Sequence, residues 1–179
     1  MKRTLTDKFW YWVKIFVVAG TLAFLIRAFI LVPVQVSGTS MEETLTEKDY
    51  ILMERMTPVK RFDIIVFGLP NGETYVKRVI GLPGEHVAYQ DDQLYIDGVQ
   101  VDEPFLPASK KNEGQLLTTD LDAADITGTE TIPDEHYFVL GDNRRLSKDS
   151  RSFGAVPADK IFGKARMVYF PLQHFGIIN

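Results

Sequence analysis

The sequence predicts a mainly β protein: a single N-terminal transmembrane α-helix followed by an all-β domain outside the membrane. Three observations carry this. An uncharged apolar run, Ile15–Ile26, lies near the start of the chain with basic residues ahead of it. After Pro33 the chain breaks into short runs of alternating apolar character separated by turn residues, the pattern of strands on a sheet. Helical periodicity is absent beyond this point, short turns apart. With 45% hydrophobic and 25% charged residues in 179, the chain can bury a core and is not a disordered one.

The twelve residues Ile15–Ile26 cover only about 18 Å as a helix, short of a bilayer core of about 30 Å. Read with its flanks, the span runs over residues 10–32, about 34 Å, behind a short cytoplasmic segment, residues 1–9. Lys14 and Arg27 fall near its ends, where their aliphatic stems let the charges reach the headgroups. Trp10, Tyr11 and Trp12 supply an interfacial aromatic belt, and Pro33 is expected to end the helix. Lys2, Arg3, Lys8 and Lys14 precede the apolar run, whereas after Arg27 the next basic residue is Lys48. The positive-inside rule then leaves the N-terminus in the cytoplasm and residues 33–179 outside, a single-pass chain of type II orientation in the cell membrane. The alternative is a cleaved secretory signal. The span is long for one, no Ala-x-Ala site follows it, and Val36-Ser37-Gly38 is a weak substitute.

In the domain, Tyr50–Met56 is the first expected strand. Phe62–Phe67 and Thr74–Ile80 flank Asn71-Gly72, a strong hairpin signal because both turn residues tolerate positive φ. Leu94–Ile96 and Val99–Val101 flank Asp97-Gly98 in the same way, with His86–Tyr89 before them. Tyr137–Leu140 and Ile161–Phe170 complete the set. Residues 102–135 are polar, carry Pro104, Pro107 and Lys110-Lys111, and read as an insertion or long loop. Strands this short and this closely spaced predict a sandwich or barrel-like sheet.

Composition removes several chemistries. Without cysteine there is no disulfide framework, thiolate zinc site or cysteine nucleophile. His86, His136 and His174 form no close pair, so a histidine metal site is not expected. Residues 1–30 carry Lys2, Arg3, Lys8, Lys14 and Arg27 against Asp7, while the rest holds 15 basic and 23 acidic side chains. An acidic body repels phosphate backbones and speaks against nucleic acid as a partner. The basic, apolar start speaks for a lipid bilayer.

Three segments concentrate reactive groups: Ser37–Met41, Tyr75–Arg78 and Gly141–Arg151. Ser40 follows a glycine-containing turn and is the candidate nucleophile, although composition alone favours reading Ser37, Thr39 and Ser40 as ordinary turn residues. No His–Asp pairing is evident to activate it, which leaves a lysine of lowered pKa as the base. Lys77 lies on a strand whose alternation puts Tyr75, Lys77 and Val79 on one face and Val76, Arg78 and Ile80 on the other. Apolar neighbours would favour the uncharged amine; the competing reading is a lysine guarding a sheet edge. In the third segment Asp142, Arg144, Asp149 and Arg151 can form ion pairs holding a loop, and Ser147 can orient an amine; a solvated charged loop is the plain alternative.

At these residues the chain resembles the type I signal peptidases. Ser40-Met41-Glu42-Glu43-Thr44-Leu45 is similar to that family's S-M-x-P-T-L motif, Tyr75 through Glu85 to its lysine motif, and Gly141 through Gly154 to its GDNRxxSxDSRxxG motif. The single span and short length are similar to Gram-positive members. The resemblance implies a membrane-bound serine endopeptidase that cleaves signal peptides from secretory preproteins after Ala-x-Ala sites, without a cofactor. It implies a mostly β catalytic domain with Ser40 as nucleophile, Lys77 as general base and Ser147 orienting the amine. Asp142 and Asp149 with Arg78 and Arg151 would form supporting ion pairs, and Met41 would line the substrate site. Two positions depart from the pattern. Glu43 replaces a usual proline, which predicts a less rigid turn. Gly38 stands where some members have a serine of the oxyanion hole, which leaves that task to backbone N–H groups.

Overall fold

The computed structural model describes residues 5–29, 31–70, 72–106 and 116–178. Helix α1 spans Leu5–Phe29, 25 residues and about 37 Å. Asp7 in its first turn complements the positive end of the helix dipole. Phe9, Trp10, Tyr11, Trp12, Phe16, Val17, Val18 and Leu22 are all exposed on it. No helix among the described residues is long and apolar enough to cross a membrane. Asp7, Lys8 and Lys14 all fall in the first ten residues of α1, so its uncharged stretch begins only at Ile15. The helix also stops earlier than residue 32. Leu31 and Val32 belong to strand β1 (Leu31–Gln35), opposite Glu54 and Met53. Pro33 lies inside that strand, opposite Leu52. Because β1 is at the sheet edge, a missing N–H there is tolerated, and proline need not mark a helix end.

The remaining strands are β2 (Tyr50–Glu54), β3 (Ile64–Gly68), β4 (Thr74–Gly81), β5 (Val87–Gln90), β6 (Gln93–Ile96), β7 (Val99–Val101), β8 (Leu121–Asp122), β9 (His136–Leu140), β10 (Val156–Pro157), β11 (Ile161–Phe170) and β12 (Gly176–Ile177). The larger sheet runs β1-β2-β11-β3-β4-β9-β10, with β12 added on β11; β7-β6-β5-β8 form a smaller one. The protein is thus mainly β, and the paired strands run antiparallel. Asp97 (φ 52°) and Gly98 (φ 77°) take the paired left-handed conformation of a tight hairpin turn. Asn71, like Pro107, Lys110 and Lys111, lies outside the described residues. Within 102–135 the described part is not all loop: it holds β8 and a short helix, Ala123–Thr127, whose first turn is capped by the Asp122 carboxylate.

Alternation on β3 divides the core. Ile64 and Val66 face Val36, Met41, Leu45, Ile51 and Met53; Ile65 and Phe67 face Val79, Val139 and Val156. With both faces covered, β3 reads as a continuous apolar run. A third cluster, with Ile80, Phe138 and Leu140 against Val87, Tyr89, Leu94 and Ile96, joins the two sheets. Each such fully buried side chain contributes about 1.5–3 kcal/mol relative to exposure. In the first cluster, Met41 and Leu45 pin the turn after Ser40 onto the sheet.

Candidate active site

Three chain segments converge on one end of β4. The first is the turn that presents Ser40. Gly38 has φ +82° and open space where a side chain would be, so its glycine serves backbone conformation. Beyond Ser40, the Met41 carbonyl accepts the N–H groups of Glu43 (3.0 Å), Thr44 (2.9 Å) and Leu45 (2.8 Å). The Glu43 N–H is one that proline would lack, so here hydrogen bonds close the turn that a ring would otherwise stiffen. Among the described residues no group accepts from the Ser40 N–H. Met41 is 2% exposed, packed into the core on one side and lining the cleft beside Ser40 on the other.

The second segment is β4 itself. Lys77 shares the Tyr75 and Val79 face and is 2% exposed. Its Nζ donates to Ser40 Oγ at 2.6 Å and to the Val76 carbonyl at 3.0 Å, with the Tyr75 ring 5.5 Å away. Burial pulls the amine from 10.5 down to about 8, against the charges of Asp149 and Asp142, which hold it up. An edge-guarding lysine would stand in solvent; this one does not.

The third segment is the loop Gly141–Asp149, which backs onto the Ser40 turn. The Asn143 N–H donates to the Ser40 carbonyl (3.1 Å), and Asn143 Nδ2 to the Thr39 carbonyl (3.2 Å). Gly141 packs so closely that a Cβ there would overlap both the Ser40 carbonyl oxygen and Ser147 Oγ. On the opposite face of β4, Arg78 is fully buried. It bonds Asp142 with two nitrogens, Nε–Oδ1 at 2.9 Å and Nη2–Oδ2 at 2.7 Å, and donates to the Phe62 carbonyl at 2.8 Å. Thr44 Oγ1 completes the knot by donating to Asp142 at 2.6 Å. Asp149 pairs with Arg151 in the same forked way, both contacts at 2.8 Å, and accepts the Gly141 N–H at 3.1 Å. Burial pushes the Asp149 carboxyl up, but the Arg151 hydrogen bonds and charge outweigh this and hold it below the usual range.

Ser147 differs from the expectation that its hydroxyl would bond the lysine. Its Oγ is buried without a hydrogen-bond partner, while the Lys77 amine contacts Ser40 and the Val76 carbonyl. The histidines stand apart from the pair: His86 meets Asp122 (3.1 Å), His174 meets Asp49 (2.7 Å) and His136 meets the Asp134 carbonyl (2.8 Å). Among the described residues no three His, Asp or Glu side chains converge to hold a metal ion. One cluster has no counterpart in the sequence reading. Arg144 is buried and bonds Glu103, Tyr89 Oη (3.0 Å), Thr118 Oγ1 (2.9 Å) and the Gly141 carbonyl (3.1 Å). Glu103 and Thr118 come from the segment read as polar loop, and no local spacing signals their union with residue 144.

A cleft of about 700 Å³ opens on the pair, walled by Val34, Val36, Ser40, Tyr75, Lys77 and Leu146 along the β1 edge. A serine hydroxyl against a buried amine, in a cleft beside a free strand edge, defines the class: a serine hydrolase. Residues 9–170 match the family described as signal peptidase, peptidase S26, and the chain belongs to that family of serine endopeptidases. It is 42% identical over 171 residues to signal peptidase I of Bacillus caldolyticus, covering 93% of this chain and 92% of the relative. It is 34% identical over 184 residues to signal peptidase IB of Staphylococcus aureus strain N315, covering 98% and 94%. A crystal structure of a signal peptidase I from Enterococcus faecalis V583 is similar with a TM-score of 0.57 at 44% identity, over 60% of this chain and 97% of that one.

Proposed function

We propose that this protein removes signal peptides from secretory preproteins by a Ser40–Lys77 dyad, cutting after small residues at Ala-x-Ala sites. The observation that carries the reading is the 2.6 Å approach of Lys77 Nζ to Ser40 Oγ with the amine shut away from water. Uncharged Lys77 takes the Ser40 proton as Oγ adds to the scissile carbonyl. The Ser40 N–H, which no described group engages, is the donor available to the developing oxyanion. Collapse of the tetrahedral intermediate breaks the C–N bond, and Lys77 returns its proton to the leaving amine. A water then gives its proton to Lys77 as its oxygen attacks the acyl ester; the second tetrahedral intermediate breaks its C–O bond to Ser40, and Lys77 returns the proton to Ser40 Oγ. Ser147, buried and without a partner, is assigned the orienting contact to the amine during this cycle. Gly38 supplies backbone conformation rather than a hydroxyl. The Arg78–Asp142 and Arg151–Asp149 pairs hold the loop that backs Ser40.

The free edge of β1 lets an extended peptide add as a further strand, so that alternate side chains enter the cleft. The same reading makes α1 the anchor in the lipid bilayer, N-terminus in the cytoplasm and catalytic domain outside; its exposed Trp10, Trp12, Phe16, Val17 and Val18 support this. The deciding experiment incubates a preprotein with detergent-solubilised protein and maps the cut by mass spectrometry. Ser40→Ala and Lys77→Ala should abolish a cut that the unaltered protein makes after Ala-x-Ala. Wild-type processing by either variant refutes the dyad, and cutting elsewhere refutes the site preference.

A further inference from the structure

We propose that Glu103 is a positioning residue for the Ser40–Lys77 pair, acting through Arg144. The proposal rests on the dyad reading. The Arg144 side chain is fully enclosed and that of Glu103 is 3% exposed. Glu103 is the carboxylate bonded to this guanidinium, through both oxygens, and its Oε1 also accepts the Tyr89 hydroxyl at 2.7 Å. With Nη1 and Nη2 held by Glu103, Tyr89 and Thr118, the remaining Nε has one fixed direction, onto the Gly141 carbonyl.

That carbonyl belongs to the loop that seats the nucleophile. Gly141 is pressed against the Ser40 carbonyl, and two residues on the Asn143 N–H bonds the same oxygen. The Arg144 carbonyl in turn accepts from Arg151 Nη2 at 2.7 Å, which links the relay to the Asp149 pair. The chain of contacts therefore runs from Glu103, on a segment outside the three reactive motifs, through a rigid planar cation to the backbone that sets where Ser40 Oγ meets Lys77. Without the carboxylate, the guanidinium is left buried and unpaired. It must draw in water or turn away, and either movement frees the Gly141 carbonyl. A displacement of about 1 Å at a reacting pair is enough for a rate loss of about 10²-fold.

The test uses the full chain in detergent with an internally quenched peptide spanning an Ala-x-Ala site. Glu103→Gln removes the charge at nearly constant shape. The double change Glu103→Leu with Arg144→Met removes both partners, so no charge is stranded and only the Tyr89 and Thr118 hydroxyls lose contacts, yet the Gly141 tether is gone; circular dichroism checks that the variant is folded. The expected result is kcat lowered about 10- to 100-fold in both, with KM within about twofold. The midpoint of the acid limb of the pH profile should also move to higher pH, as a loosened loop admits water to Lys77. If the double variant recovers wild-type kcat and pH profile, or if Glu103→Gln lowers only thermal stability, Glu103 is merely structural and the proposal is overturned. Ser40→Ala and Lys77→Ala run beside them. Their retaining activity refutes the dyad itself, whereas dead dyad variants beside fully active Glu103 variants refute only the positioning role.

Discussion

Replacing Lys77 by methionine should abolish cleavage and make the protein more stable at neutral pH. The burial that lowers the amine from 10.5 to about 8 is a folding penalty. At about 1.36 kcal/mol per pK unit it amounts to about 3 kcal/mol. The sign follows from proton counting. Between pH 8 and 10.5 the unfolded chain holds a proton on this lysine that the folded chain has given up, so stability rises with pH through that window. Below about pH 8 the whole penalty is present; above 10.5 it vanishes. Methionine fills a similar volume and carries no such term, although it loses the contacts to Ser40 and the Val76 carbonyl, about 1 kcal/mol each. The net gain is therefore about 1–3 kcal/mol at pH 7, several degrees in Tm for a chain of this size. Paired denaturation curves of the two proteins at a series of pH values measure it. The difference should shrink steadily from pH 8 to 10.5, while kcat/KM of the unaltered protein rises with a midpoint near 8. A flat stability difference across that window, or a kinetic midpoint above about 10, refutes the claim that desolvation sets this amine.

Ser147→Ala should lower kcat by about 10- to 100-fold, the size of a lost orienting contact, yet leave Tm unchanged or higher, because it deletes a buried hydroxyl without a partner; single-turnover kinetics and a thermal melt together check this. Gly141→Ala should cut processing sharply in a chain that still folds, since the added methyl collides with the Ser40 carbonyl and Ser147 Oγ, and a preprotein assay with circular dichroism separates the two effects. Asp142→Asn strands the fully buried Arg78 cation and should destabilise by about 3–5 kcal/mol in urea unfolding.

What the sequence made legible was local. Period-2 alternation assigned Lys77 to the face it occupies, because strand geometry depends only on neighbours along the chain. Asp97-Gly98 announced its turn for the same reason. The meeting of Ser40 with Lys77, 37 positions away, is written in no spacing; only the succession of three motifs pointed to it. Pro33 misled because proline is acceptable both after a helix and within an edge strand, and what decides between them is the partner strand β2, not the proline. β8, β10 and β12 are two residues long, too short for alternation to register. Glu103 escaped notice because a carboxylate in a polar stretch carries no mark of burial until a distant arginine is brought against it.

The two forked ion pairs act through charge as well as shape. Asp149 and Asp142 both raise the Lys77 pKa, so an enzyme that needs a neutral amine has placed two carboxylates beside it. Each is neutralised by its own arginine, Asp142 by Arg78 and Asp149 by Arg151. If holding the loop were the whole purpose, an uncharged substitute at residue 151 would move the amine no further than Glu103→Gln, which loosens the same loop. If the arginine also cancels a field, Arg151→Met exposes Lys77 to the full charge of Asp149 and the amine climbs back toward its ordinary range. The shift should be about one pK unit, the low end of what a neighbouring charge produces, because the Arg151 side chain is 21% exposed and partly screened by solvent. The kcat/KM profile of Arg151→Met should thus have its midpoint moved upward from about 8, beyond the shift of Glu103→Gln, with a plateau lowered by the loosened loop. A lowered plateau with a midpoint shift no larger than that of Glu103→Gln assigns Arg151 to loop geometry alone and removes electrostatic cancellation from the design of this site.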